Sequence, residues 1–134
     1  MARADVAYLD TSAFVKLLVE EPESRALRVS LSSWQRYASS VILRTEAMRA
    51  LRRSGHADLV GAARGVFATM HLIALDFSLL DRAGEIAPDD LRSLDGIHVV
   101  SSLALGADLG EFFTYDQRLA EAARYQGLPV ASLS

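Results

Sequence analysis

Cysteine is absent from the 134 residues of this chain. Disulfides, thiolate nucleophiles and cysteine-bound zinc are excluded together. Lysine is almost absent as well: Lys16 is the only one, and every other Lys or Arg position is arginine. Arginine's planar fork suits phosphate contacts, although the same skew follows from genomic base composition. Long apolar runs are missing too. Leu72 to Leu75 and the interrupted run Phe14 to Val19 fall short of the roughly 18 residues that a membrane-crossing helix needs. Met1 to Asp5 lead directly into a strand-like segment, without the apolar stretch and cleavage signal of a secretory peptide, so a cytoplasmic protein is expected. A net charge of −3 supplies no overall attraction for nucleic acid.

What the chain does have is enough apolar material for one core. With 51% hydrophobic and 23% charged residues, residues 1–134 have the size and composition of a single compact domain. No linker, low-complexity stretch or internal repeat interrupts them. Short apolar strands alternate with amphipathic helices. Strand-like runs occur at Val6 to Leu9, Tyr37 to Ser40, Leu72 to Leu75 and Glu111 to Thr114, and Leu128-Pro129-Val130 suggests a fifth. Helical patterns follow Asp10, open at Pro22-Glu23, run from about Val41 to Ser54, from His56 to Thr69 and from Phe77 to Ala87, and begin again at Asp95 and Asp116. The expected fold is therefore α/β, a short central parallel sheet of four to five strands flanked by helices.

Four acids stand where strands hand over to helices or in a helix's first turns: Asp10, Glu46, Asp95 and Asp116. In sheets of this kind ligands bind beyond the carboxyl ends of the strands, so these acids are candidates for one crevice. Two like charges about 4 Å apart cost on the order of 4 kcal/mol at an effective dielectric near 20, and a set of carboxylates multiplies the repulsion. Oxygen-only ligands without histidine or cysteine suit a hard cation, magnesium or manganese, and the chemistry natural to that combination is metal-assisted phosphodiester hydrolysis. Each acid also has a plainer role. Asp10, Asp95 and Asp116 suit helix N-caps, and Glu46 suits a solvated helix position paired with Arg49 or Arg53.

The order and spacing of the surrounding motifs resemble a known family. Tyr8-Leu9-Asp10-Thr11-Ser12-Ala13, Thr45-Glu46-Ala47-Met48-Arg49-Ala50-Leu51, Leu94-Asp95-Gly96-Ile97-His98-Val99-Val100 and Thr114-Tyr115-Asp116-Gln117-Arg118-Leu119 resemble the successive acidic motifs of PIN-domain ribonucleases. More narrowly, the chain is similar to the VapC toxins of bacterial type II toxin-antitoxin systems. The resemblance covers nearly the whole chain. It implies a magnesium-dependent endoribonuclease, with manganese as a possible substitute, that cuts RNA and is held inactive by a cognate antitoxin. Carried over residue by residue, it makes Asp10 and Asp95 the main metal ligands, with Glu46 and Asp116 completing the pocket directly or through water. Thr11, Ser12 and Thr114 match the small hydroxyl positions that flank these acids.

Other residues carry weaker signals. His98 follows Asp95 by one helical turn and reads either as a general base or as a partly buried helix histidine. Arg44, Arg49, Arg52 and Arg53 form a basic stripe on the Glu46 helix, suited to guiding an RNA backbone and equally to a solvated face. Phe14, Val15, Leu17, Leu18 and Leu27 would either fill the core or line a groove for an antitoxin helix or a homodimer contact. A phosphorelay receiver would need an acidic pair after the first strand and a lysine after the last. An aspartyl phosphatase would need an acid where Ser12 stands. The remaining alternatives are a PIN-like scaffold that binds RNA or protein without cutting, and a deoxyribonuclease of the same fold.

Overall fold

The computed structural model describes residues 4–132. Met1 to Arg3, part of the leader segment considered above, and the last two positions of the 1–134 span lie outside the described residues. Four parallel strands form the sheet: β1 (Val6–Leu9), β2 (Arg36–Ser40), β3 (His71–Ile73) and β4 (Leu109–Phe113). Their order is β3-β2-β1-β4. The chain thus builds outward from β1 to β3 on one side, then crosses back to lay β4 on the other side of β1. The switch in direction falls between β1 and β4, where connections diverge and leave a crevice at the strands' carboxyl ends.

Among the described residues seven α-helices cover the two faces: α1 (Thr11–Leu18), α2 (Ser24–Leu31), α3 (Leu43–Arg53), α4 (Val60–Phe67), α5 (Phe77–Glu85), α6 (Ser93–Leu103) and α7 (Gln117–Tyr125). Every residue of β1 is buried, as expected of a strand covered by helices on both sides. Alternation along it sorts the core. Val6 and Tyr8 join Val99, Val100, Phe112 and Leu119 on one face, while Ala7 and Leu9 join Ala13, Leu27 and Phe113 on the other. The Tyr8 ring stacks on Phe112 at 5.1 Å. A third cluster, from Phe14 through Leu43, Leu51 and Phe67, fastens α1, α3 and α4 together. Phe14 and Leu27 are therefore core residues, whereas Leu17 lines an apolar groove with Leu31, Tyr37, Val66 and Met70.

Element boundaries differ from the sequence expectation by a residue or two, with local causes. The helix expected from Val41 starts at Leu43 because the Val41 amide donates to the Ile73 carbonyl and so continues the sheet. The helix expected from Asp95 starts two residues earlier, at Ser93, with Arg92 as its N-cap. The segment from His56 opens as a 3-10 turn over Ala57–Leu59 before α4 begins. The expected fifth strand reduces to one bridge between Phe112 and Val130. Among the described residues no helix is long and apolar enough to cross a membrane.

Helix α6 lies close against α5, and Gly96 makes that approach possible. A Cβ on residue 96 would stand 2.8 Å from the Ala83 carbonyl oxygen, a backbone atom that cannot swing aside. Gly96→Ala is expected to destabilise the fold by about 1–3 kcal/mol, an overpacking cost that urea unfolding measures directly.

Candidate active site

The four expected acids lie near the carboxyl ends of the strands, close enough for Asp10, Glu46 and Asp116 to act electrostatically on Asp95, and each is delivered by a different local device. Asp10 follows β1 directly, and its amide still donates to the Phe113 carbonyl of β4. It is only 3% exposed. Burial raises its pKa, opposed by the charge of His98 and by the bonds from Thr114, Ala13 and Ser12. Its Oδ1 accepts the Ala13 amide at 2.9 Å and the Ser12 hydroxyl at 2.8 Å. Its Oδ2 accepts the same Ser12 hydroxyl at 2.9 Å and that of Thr114 at 2.6 Å. Asp10 is thus the N-cap of α1 and stands within electrostatic reach of Asp95 at once. The two roles considered for it in the sequence are not exclusive.

Ser12 and Thr114 do more than flank the acids. While donating to Asp10, the Ser12 oxygen accepts the Tyr115 amide at 2.8 Å, and the Thr114 oxygen accepts the Asp116 amide at 3.0 Å. Two hydroxyls therefore stitch the end of β1 to the loop after β4. Asp116 itself caps α7, its Oδ1 accepting the Arg118 and Leu119 amides, and its side chain is exposed at the rim.

Asp95 is the third residue of α6 and makes no cap; the cap position belongs to Arg92. The Asp95 carboxyl is raised by partial burial first, then by the charge of Asp116, with Asp10 and Glu46 adding to the effect and His98 opposing it. Asp95 therefore feels the other three acids, which is the electrostatic signature of a shared pocket.

Glu46, in the first turn of α3, does not pair with Arg49 or Arg53 as the plain helix reading would have it. Its Oε1 accepts the Thr11 hydroxyl at 2.7 Å and lies 2.8 Å from His98 Nε2. Burial raises the Glu46 carboxyl, but the bond and charge of His98, with the Thr11 hydroxyl, outweigh it and hold the group below its ordinary value. His98 Nδ1 in turn lies 2.7 Å from the Tyr8 hydroxyl. Burial drives the Tyr8 pKa far upward, so the phenol keeps its proton and can donate it to Nδ1. Toward Glu46, whose carboxyl is held ionised, Nε2 is the donor in either charge state of the ring. With both ring nitrogens engaged and 2% exposure, His98 is not placed to act as a general base on a substrate. Tyr8 is the residue that sequence reasoning missed. Its signal was a phenol in an otherwise aliphatic strand, a group that needs a polar partner when buried.

The donor set fits a hard divalent cation of the magnesium type. It consists of carboxylate oxygens, with the one nearby imidazole already occupied. Among the described residues no three acidic or histidine side chains are drawn together as a finished metal cage. Magnesium is commonly held by one or two carboxylates and completes its shell with water and substrate oxygens, so an open acidic crevice suits it better than a closed cage.

The basic stripe is more dispersed than expected. At about 100° per residue, Arg44 lies on nearly the opposite side of α3 from Glu46, and its guanidinium stands over the Phe67 ring at 5.3 Å. Arg49, Arg52 and Arg53 are exposed. The cleft that Asp95 lines is lined also by Arg92 and Arg118, two cations that the sequence reading passed over although Arg118 stands two residues beyond Asp116.

Fold and site together define an α/β domain with an acidic crevice at the switch point of a parallel sheet. The chain belongs to the PIN domain family, which matches residues 7–125. It is 44% identical over 127 residues to Ribonuclease VapC46 of Mycobacterium tuberculosis (strain ATCC 25618 / H37Rv), covering 95% of this chain and 97% of that protein. It is 36% identical over 129 residues to Ribonuclease VapC47 of M. tuberculosis (strain CDC 1551 / Oshkosh), covering 93% of this chain and 95% of that protein. Ribonuclease VapC35 of the same species matches at 36% identity over 129 residues.

The raised pKa of Asp95 sets the sign of a pH effect. A carboxyl that holds its proton more tightly when folded than when unfolded costs stability once both states are ionised. That cost grows as pH rises from the ordinary carboxylate value through the raised one. In chelator at neutral pH, Asp95→Asn is expected to raise the melting temperature by a few degrees, and the gain should disappear below the ordinary carboxylate pKa. Thermal melts of the two proteins across pH 3 to 7 measure it.

Proposed function

We propose that this chain is a divalent-metal-dependent endoribonuclease, the toxin of a toxin-antitoxin pair. The observation that supports the reading is that Asp10, Glu46 and Asp116, from three other parts of the chain, all stand within electrostatic reach of Asp95. The names of the VapC relatives, all ribonucleases, support it. In this reading Asp10 and Asp95 hold magnesium, or manganese in its place, and Glu46 and Asp116 complete the acidic pocket. When bound, such an ion lowers the pKa of a water and offsets the charge of the scissile phosphate.

The chain's own residues supply the rest. Ser12, Thr114 and the Ala13 amide pin the Asp10 carboxylate against reorientation, and Thr11 does the same for Glu46. Preformed oxygens cost little reorganisation when the charged groups meet. Arg92 and Arg118, on the cleft beside Asp95, are positioned to receive flanking phosphates. Arg49, Arg52 and Arg53 offer a longer-range attraction for the RNA backbone. A cognate antitoxin would silence the enzyme, and the apolar groove around Leu17 and Met70 is the surface suited to a helical partner or a second copy of the chain. The cytoplasm, where RNA is available, is the compartment this activity requires.

Purified protein incubated with total RNA and manganese is expected to cleave it, and chelator is expected to stop cleavage. Asp95→Asn should reduce cleavage to the chelated background while remaining folded by circular dichroism. Equal cleavage by both proteins would remove the acids from the mechanism, and cleavage of single-stranded DNA in place of RNA would reassign the substrate. Because cation binding relieves carboxylate repulsion, millimolar magnesium should also raise the wild-type melting temperature and raise that of Asp95→Asn by much less.

A further inference from the structure

One largely buried polar array is a feature that phosphodiester hydrolysis does not by itself require. Tyr8, His98 and Glu46 come from β1, α6 and α3, and they form a continuous hydrogen-bonded line from the core to the crevice. Tyr8 is fully buried, His98 is 2% exposed, and the Glu46 side chain is 21% exposed. The line therefore runs from a dry end to a wet one. At the dry end the phenol is wedged by its stack on Phe112 and meets the imidazole edge-on at 5.8 Å. At the wet end both donors, His98 Nε2 and the Thr11 hydroxyl, fall on the same carboxylate oxygen, Oε1. None of the hydrogen bonds among the described residues uses Oε2.

We propose that His98, held by Tyr8, is a positioning residue that commits Oε1 of Glu46 to the protein and turns Oε2 toward a cation in the crevice. The inference rests on the metal-dependent reading above and deepens it. A flexible glutamate would otherwise sample several rotamers, and fixing one of its two oxygens converts it into a directed ligand. A purely architectural role accounts less well for the arrangement. A buried imidazole costs desolvation, and packing alone would be served as well by an apolar residue of similar volume. It would also give no reason for the line to end on a carboxylate facing the acidic crevice.

The test measures manganese affinity by isothermal titration, alongside the melting temperature in chelator and the kcat and KM for RNA cleavage. His98→Leu is expected to weaken manganese binding about 10-fold or more and to lower kcat with little change in KM. Tyr8→Phe, which removes a single oxygen, should weaken binding in the same direction by a smaller factor. His98→Gln, whose amide can still donate to Glu46, should recover part of the loss. If His98 acts only through Glu46, adding His98→Leu to Glu46→Gln should weaken manganese binding no further than Glu46→Gln alone, within about twofold. Wild-type affinity in both His98→Leu and Tyr8→Phe would overturn the proposal, and so would a full additive loss in the double variant. Should His98→Leu fail to fold, Tyr8→Phe decides by itself. A wild-type protein that neither binds manganese nor cleaves RNA would instead overturn the metal-dependent reading and this inference with it, whereas normal wild-type binding with unaffected variants removes the positioning role alone.

Discussion

Like charge at close quarters is the constraint around which this molecule is arranged. Asp10, Glu46, Asp95 and Asp116 would repel one another in any compact state, and the fold nevertheless brings their fields together at Asp95. It can do so because the acids are not handled alike. Asp10 is buried, and its two oxygens accept from a backbone amide and two hydroxyls. Asp116 stays at the rim, its charge spent on two amides at the positive end of α7. Glu46 leans on His98. Asp95 holds its proton more tightly, by partial burial first and then by the charge of its acidic neighbours, with His98 relieving part of that field.

The same contacts that tame the charge also join the chain to itself. Ser12 and Thr114 tie the carboxyl ends of β1 and β4 across the switch point, while Tyr8 and His98 tie β1 to α6 and so to Asp95, one turn away. Strand β1 therefore carries core packing on both faces and site geometry at its end. Substitutions on β1 should seldom separate stability from activity. Helix α3 is attached differently: its apolar face packs on Phe14 and Phe67, and Glu46 reaches Thr11 and His98.

Much of this was legible in the chain. The alternation of apolar runs with helical periodicity marked all four strands and the helices between them, because a parallel sheet covered on both faces demands such runs. Asp10 and Asp116 were legible as helix caps, and both cap a helix. Less legible were the details that depend on a partner far away in sequence. The start of α3 moved because Val41 is engaged by Ile73, and the fifth strand shrank to a bridge at Val130. Glu46 pairs with none of the arginines on its helix, Arg44 stands over Phe67, and Arg92 and Arg118 line the cleft beside Asp95. Helical spacing alone cannot say which neighbouring element a side chain will meet.

The amino-acid sequence by itself determined the α/β class, the strand-to-helix junctions that carry the acids and the PIN family resemblance, since hydrophobic period, capping chemistry and motif order are local properties of the chain. Tertiary structure alone decided that Glu46 pairs with His98 and not with an arginine, that a core tyrosine stands behind that histidine, and which oxygen of each acid is already taken. These are facts of packing between residues 52 and 90 positions apart. No local periodicity encodes them, because the partners meet only once the sheet has closed around β1.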